Sequence, residues 1–189
     1  MPGAETEIKF RLLDRNALER ELKAAGFKLQ TPRTLEVNTL YDCRTHSLRR
    51  KGELLRLRSY GPRWVLTHKA KGKTGRHKVR MEAETRVDDG EQMVAILCGL
   101  GYRPSFRYEK FRTEWTDGTG HVVLDETPIG NFGEIEGPAD WIDSTAARLG
   151  ISQKEYITLN YAGLFSDWKR RTRSRAREMT FVAVSGTQG

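Results

Sequence analysis

The chain has 189 residues, 37% of them hydrophobic and 31% charged, with a formal net charge of +8. That length accommodates one domain with a sizeable core, and no apolar run approaches the roughly 18 residues of a membrane span. The opening Met1-Pro2-Gly3-Ala4 lacks the basic and apolar regions of a secretory leader, so a cytoplasmic protein is expected. Cys43 and Cys98 are too few for a disulfide scaffold and lack metal-site spacing. Most of the excess charge sits in Lys169, Arg170, Arg171, Arg173, Arg175 and Arg177, with Glu178 as their one acidic neighbour. Such a stretch, without an apolar period, predicts a disordered tail over 169–189 that catalysis does not need. Nucleic-acid binding is then expected only as weak, salt-dependent contact through that tail.

Glu5-Thr6-Glu7-Ile8-Lys9 opens the chain as a strand, with Glu5, Glu7 and Lys9 on one face and Thr6, Ile8 and Phe10 on the other. Asp14 caps a predicted helix over 15–25, with Leu18 and Leu22 on its apolar stripe and Gly26 as its stop. Residues 27–42 read as extended, with a bulge or edge at Thr31-Pro32, and 45–51 as a short helix or loop. Residues 53–60 alternate again and turn at Gly61-Pro62 into a hairpin partner that carries Lys69. The Gly-Lys-Thr at 72–74 is no phosphate loop, because Thr67 stands where that motif needs a glycine. Residues 78–87 show the clearest alternation: Val79, Met81, Ala83, Thr85 and Val87 against Arg80, Glu82, Glu84 and Arg86. Asp89 caps a second helix, and strands follow over 106–115, 121–126 and 131–137, with a hairpin turn at Asp117-Gly118. Residues 139–150 and 154–168 read as helices, with Tyr156, Leu164, Phe165 and Trp168 among their packing residues.

Sorted by face, the strands collect acids (Glu5, Glu7, Glu82, Glu84, Asp125, Glu134, Glu136) and bases (Lys9, Arg56, Arg58, Lys69, Arg80, Lys110, Arg112) on the same side. Consecutive antiparallel strands, with helices that must cover apolar faces, predict a closed sheet packed by helices outside and lined by charge inside. Burying so many ions costs several kcal/mol each, on the order of the penalty known for buried ion pairs, unless a ligand offsets it. Carboxylates without His or Cys neighbours suit Mg²⁺ or Mn²⁺, while Arg forks and Lys ammonium groups suit phosphate oxygens. A metal-triphosphate is therefore the expected occupant. His68 is expected to pack under a covering helix, His46, His77 and His121 to lie on the surface, and the four tryptophans to sit in the core. Glu84 is open between a metal-site residue and a partner of a neighbouring arginine.

These residues resemble the CYTH superfamily of triphosphate tunnel enzymes, which includes class IV adenylate cyclases and thiamine triphosphatases. The resemblance runs from Glu5 to about Phe165 through Glu5-x-Glu7-x-Lys9, Leu55-Arg56-Leu57-Arg58, Lys69, Arg80-x-Glu82-x-Glu84, Lys110-Phe111-Arg112, Asp125 and the stretch 130–137. Asn38-Thr39-Leu40-Tyr41-Asp42, Leu66-Thr67-His68-Lys69 and Asp125-Glu126-Thr127-Pro128 look most like the bacterial class IV cyclase type. The resemblance implies an α+β fold: an eight-stranded antiparallel β-barrel, the triphosphate tunnel, with covering helices over 1–168. It implies two Mg²⁺ or Mn²⁺ ions on Glu5, Glu7, Glu82, Asp125, Glu134 and Glu136, and a triphosphate on Lys9, Arg56, Arg58, Lys69, Arg80, Lys110 and Arg112. ATP cyclisation to cyclic AMP and pyrophosphate is the expected activity, with tripolyphosphate, thiamine triphosphate or nucleotide hydrolysis as the alternative and plain polyphosphate or nucleic-acid binding behind both. No membrane partner is expected, and a homodimer is compatible with the pattern.

Overall fold

The computed structural model describes residues 3–186, apart from the side chain of Thr74. The described strands are β1 (Gly3–Arg11), β2 (Lys28–Asp42), β3 (Leu54–Tyr60), β4 (Arg63–Lys69), β5 (Lys73–Thr74), β6 (Lys78–Val87), β7 (Arg103–Thr116), β8 (His121–Thr127) and β9 (Gly130–Glu136). They hydrogen-bond in the order β1-β9-β8-β7-β2-β3-β4-β6-β5, and β1 also pairs with β6, which closes the sheet. Closure uses the two halves of β1: Gly3 to Glu7 pair with β6, and Glu7 to Arg11 with β9. The two-residue β5 only extends β6, so eight antiparallel strands make the barrel, as expected. The irregularity expected at Thr31-Pro32 is present as register shifts between β2 and β7 on either side of Thr31.

The helices are α1 (Arg15–Ala24), α2 (Ser47–Lys51), α3 (Gly90–Gly99), α4 (Ala139–Arg148), α5 (Tyr161–Thr172) and α6 (Phe181–Ser185). Asp14 accepts from the Ala17 N–H at 3.0 Å, and Asp89 from Glu91 and Gln92 at 2.9 and 3.0 Å, so both predicted caps form. The apolar faces of α1 and α4 cover the outside of the barrel, burying Leu18, Leu22 and Ile142 against Ile8, Phe10 and Ile135. Phe10 lies so close to β9 that a Cβ on Gly133 would stand 2.1 Å from its ring, which accounts for glycine there. α3 buries Leu97 against Tyr41 and Leu57 on a second outer patch. The outer cover is incomplete, because Val79 and Met81 on β6 remain 38% and 47% exposed.

Helix α5 does something different from cover. On β7, Phe106 and Tyr108 share the inward face with Lys110 and Arg112, and on β9 Phe132 shares it with Glu134 and Glu136. At that end of the barrel the lumen is apolar, and α5 fills it: Tyr161, Leu164, Phe165 and Trp168 pack with Tyr108, Phe132, Leu40 and Phe106. Phe165 sits 5.6 Å from the Phe106 ring, and Tyr161 5.6 Å from Tyr108.

Two expectations change here. The helix expected over 154–168 begins only at Tyr161, because Asn160 caps it by accepting from the Gly163 N–H at 2.9 Å. Before it, Ile157 stays extended and donates its N–H to the Lys9 carbonyl at 2.7 Å. The segment expected as a disordered tail is folded through Gly186: α5 continues to Thr172, and the chain returns along β7, where the N–H of Met179 donates to the Arg107 carbonyl and that of Glu109 to the Met179 carbonyl. Ala176, between Arg175 and Arg177, and Met179 and Val184 after them are buried against the plug, and this apolar anchoring outweighs the charge that argued for disorder. No helix among the described residues is long and apolar enough to cross a membrane.

Candidate active site

Register turns the sequence alternation into a lumen. Glu5 stands opposite Arg80, Glu7 opposite Lys78 and Glu136, and Lys9 opposite Glu134. Lys69 faces Glu82, Lys110 faces Glu36, and Arg112 faces Asp125. The result is a cavity of about 400 Å³ lined by all the expected site residues except Asp125. Glu5, Glu136, His121 and Glu114 lie towards the strand ends that form the mouth, and Asn160, Tyr161 and Ala162 of the plug line the opposite end.

The carboxylates divide into two groups. Oxygens of Glu5, Glu7 and Glu136 lie within 4.8 Å of one another, a donor set that fits a hard divalent cation. Burial and the Glu134, Glu7 and Glu5 carboxylates push the Glu136 carboxyl up to about 8, against the pull of Arg112. Bases reach the first group too, since Glu5 accepts from Lys69 at 2.7 Å and Glu7 pairs with Lys78, which leaves Glu136 as its member without an ion pair among the described residues; the second group is held by bases throughout. Glu82 accepts from Lys69 at 2.8 Å, and Glu134 pairs with Lys9 and with Arg112. Although burial favours the neutral acid, Lys9, Arg112 and Lys110 hold the Glu134 carboxyl well below the usual carboxylate range. Asp125 departs furthest from the expected metal set. It is fully buried, its Oδ1 accepts from Arg112 at 2.8 Å, and its Oδ2 accepts from Lys110, Arg112 and Tyr161 at 2.7, 2.7 and 2.5 Å. With those acceptor positions filled, Asp125 orients the bases beneath the cavity and lies outside the carboxylate cluster.

The bases retain donors for an anion. The Nε atoms of Arg56, Arg58 and Arg80 are buried without a hydrogen-bond partner, and Arg80 has no ion pair among the described residues. Arg56 reaches only neutral oxygens at hydrogen-bond distance, Thr67 Oγ1 at 3.3 Å and Tyr108 Oη at 3.5 Å. Unsatisfied buried guanidinium groups are costly, and phosphate oxygens are their natural partners. Lys69 is shared between Glu5 and Glu82 at 2.7 and 2.8 Å, which ties the carboxylate cluster to the basic wall of the cavity. Glu84 accepts from Arg58 at 3.2 Å and Thr67 at 3.0 Å, so its open assignment resolves in this structure as a partner of arginine.

Lumen residues that went unassigned in the sequence include Glu36, Lys78, Tyr161 and His121. Glu36 is fully buried within 3.5 Å of Arg58 and Lys110 and 3.8 Å of Arg112, and these cations hold its carboxyl far below the usual range despite burial. Glu36-x-Asn38-x-Leu40 on β2 is the same period-two signal, left unsorted because the Thr31-Pro32 interruption hides the face. Lys78, which pairs with Glu7, is in phase with Arg80 and Glu82. Tyr161 comes from a helix that strand alternation cannot place. His121, expected on the surface, opens β8 opposite Glu136 and lines the cavity. Among the other histidines, His68 points outward as expected, but is exposed and 3.4 Å from Glu53 where cover by a helix was expected. His77 is half-buried at 2.9 Å from Asp143.

Comparison with known proteins agrees with this geometry. Residues 3–149 match the CYTH domain family model. The chain is 28% identical over 171 residues to adenylate cyclase CyaB of Aeromonas hydrophila, covering 85% of this chain and 87% of that one. Among solved structures it resembles a candidate adenylate cyclase from Vibrio parahaemolyticus, with a TM-score of 0.78 at 20% identity, over 88% of this chain and 99% of the other. It also resembles a protein from Hippeastrum, with a TM-score of 0.61 at 21% identity, over 86% and 95% of the two chains. A barrel closed through β1, a charged lumen and a family match across most of the chain lead to one conclusion: this protein belongs to the CYTH family.

Proposed function

We infer that this protein is a metal-dependent enzyme acting on triphosphates, and that ATP is its substrate, converted to cyclic AMP and pyrophosphate. The observation that carries the reading is the Glu5, Glu7 and Glu136 cluster inside a cavity that also presents four lysines and the arginines Arg56, Arg58 and Arg80, whose Nε atoms have no partner. Carboxylates on that wall would repel a bare polyanion, so a plain polyphosphate or nucleic-acid binder is disfavoured, whereas a cation-bound triphosphate satisfies both sets of residues. Glu5, Glu7 and Glu136 are the residues to hold a Mg²⁺ or Mn²⁺ ion, and Glu82 and Glu134, now paired with lysines, are available to a second. When bound, the ion supplies Lewis acidity towards a phosphoryl oxygen.

The remaining chemistry belongs to the chain. Arg56, Arg58, Lys69 and Arg80 neutralise and orient the phosphates, and Lys9, Lys110 and Arg112 hold the group that departs. In the cyclase reaction the ribose 3′-hydroxyl gives up its proton to water as its oxygen bonds to the α-phosphorus, and the bond from that phosphorus to the bridging oxygen breaks to release pyrophosphate. The name of the Aeromonas relative supports this finer reading. A second reading, hydrolysis of the triphosphate, is favoured by one feature of the cavity: among its described lining residues the phenol rings, Tyr108 and Tyr161, stand at the plug end, which leaves the small His121 imidazole as the one ring at the mouth, where adenine would sit. The Hippeastrum protein is likewise described as a candidate adenylyl cyclase with a dominant triphosphatase activity. Incubation with ATP, thiamine triphosphate and tripolyphosphate under Mg²⁺ and Mn²⁺, with chromatography of the products, separates the two. Cyclic AMP with pyrophosphate is the expected outcome; ADP with phosphate alone, or far faster loss of tripolyphosphate, assigns the enzyme to hydrolysis.

A further inference from the structure

One side chain belongs to both halves of the barrel. Tyr161, the first residue of α5, packs its ring 5.6 Å from Tyr108 and 5.9 Å from Phe132 inside the plug, yet it also lines the charged cavity. Its hydroxyl donates to Asp125 Oδ2 at 2.5 Å, and burial together with the Asp125 charge keeps the phenol protonated well above its ordinary range. Lys9 Nζ lies 4.4 Å and Lys110 Nζ 4.9 Å from the centre of the ring. The ring is therefore fixed from three sides: by a carboxylate that Lys110 and Arg112 also hold, by two ammonium groups at its face, and by the aromatic plug behind it. The bond from the Ile157 N–H to the Lys9 carbonyl and the Asn160 cap set the point at which α5 enters the barrel.

The electron-rich face of a phenol ring attracts ammonium groups and is a poor neighbour for phosphate oxygens. From Glu5 near the mouth to Lys9 beside the ring, the lumen side of β1 extends about 13 Å, four residues at ~3.3 Å each. Beyond Lys9 the next groups met are the ring and then the apolar packing of Phe132, Leu164 and Phe165. A linear phosphate chain entering from the mouth thus passes the carboxylate cluster first and ends against two lysines with Tyr161 behind them.

We propose that Tyr161 is the end stop of the tunnel, a specificity-determining residue that admits a triphosphate and rejects longer linear polyphosphates. This rests on the triphosphate reading above and adds to it an orientation, with the terminal phosphoryl group innermost. The test is calorimetric binding of inorganic tripolyphosphate and tetrapolyphosphate to the full chain with Mg²⁺ present. The wild-type protein is expected to prefer tripolyphosphate by about tenfold or more, and Tyr161→Ala to bring the two affinities within about threefold. Tyr161→Phe keeps the ring and should keep the preference, whatever its effect on turnover. Tyr161→Leu, which leaves the plug apolar while vacating the space between Lys9 and Lys110, should move in the same direction as alanine if the alanine variant does not fold. Wild-type protein that discriminates poorly between the two anions, or folded alanine and leucine variants that keep its preference, overturns the end stop while leaving the triphosphate reading intact. Wild-type protein that binds neither anion overturns both.

Discussion

The barrel interior has two halves built on the same strands, and the contrast between them explains how the fold serves its site. On β7 the inward positions change from Phe106 and Tyr108 to Lys110 and Arg112, and on β9 from Phe132 to Glu134 and Glu136. The apolar half is filled by α5, whose Tyr161, Leu164, Phe165 and Trp168 are buried against the strands, with Phe106 and Leu40 partly buried at its edge. The charged half is left hollow, with about 400 Å³ of space, because buried ions tolerate neither dry packing nor isolation and are met by one another, by water and by ligand. One half holds the strands together; the other holds opposite charges in pairs around a hollow, with Glu136 and the Nε atoms of Arg56, Arg58 and Arg80 left without a partner among the described residues. Tyr161 and Asp125 form the seam.

If the halves are as separable as this, damage to each should have a different signature. The largest effect is expected from Glu7→Gln or Glu136→Gln, which removes a charge and a cation ligand without opening a cavity. Metal-dependent turnover should fall by at least about a hundredfold, the upper end of what even outer ligand partners contribute, with the melting temperature little changed. Near-normal turnover at saturating Mn²⁺ in both variants would remove the carboxylate cluster from the mechanism.

Phe165→Ala tests the other half. The ring is buried between Phe106 and Trp168, and its loss should cost about 3–5 kcal/mol. In a protein of this size that corresponds to a fall in melting temperature of about 10 °C, while Mg²⁺ binding at the mouth persists below the transition. A loss of Mg²⁺ binding equal to that of Glu7→Gln, measured on protein still folded, would show that the halves are not separable. The same logic reverses the expectation that residues from Lys169 onward are dispensable, because Ala176, Met179 and Val184 are part of the plug core.

The smallest effect concerns pH. With the Glu136 carboxyl raised from 4.5 to about 8, its contribution to the stability of the metal-free protein is complete below the unfolded value and is lost as pH rises through about 8. Cation binding requires the ionised form, so Mg²⁺ affinity should climb by up to roughly tenfold per pH unit below that value and then level off. Titration calorimetry in two buffers of different ionisation enthalpy should register the proton released. An affinity flat across this range would place the cation away from Glu136.

Much of the site was legible because strand alternation is a local property. Once a strand is assigned, its side chains alternate, and Glu5, Glu7, Lys9, Arg80, Glu82, Lys110, Arg112, Glu134 and Glu136 fall on one face whatever the neighbouring strands do. That same property determined that the sheet must be covered outside and charged inside, and it led to the family resemblance. Alternation stops short of saying which opposite charges meet. Register decides that Glu5, Glu7 and Glu136 converge while Asp125 is consumed by Lys110, Arg112 and Tyr161. Nor does local pattern say where a helix docks. The residues of α5 announced an apolar face, but an outer wall and a barrel end are equally apolar partners, and only the three-dimensional placement of Leu40, Phe106, Tyr108 and Phe132 at one end of the lumen made that end the destination. The C-terminal segment turned on the same distinction: its charges are read one residue at a time, whereas the burial of Ala176, Met179 and Val184 exists only once the plug is there to receive them.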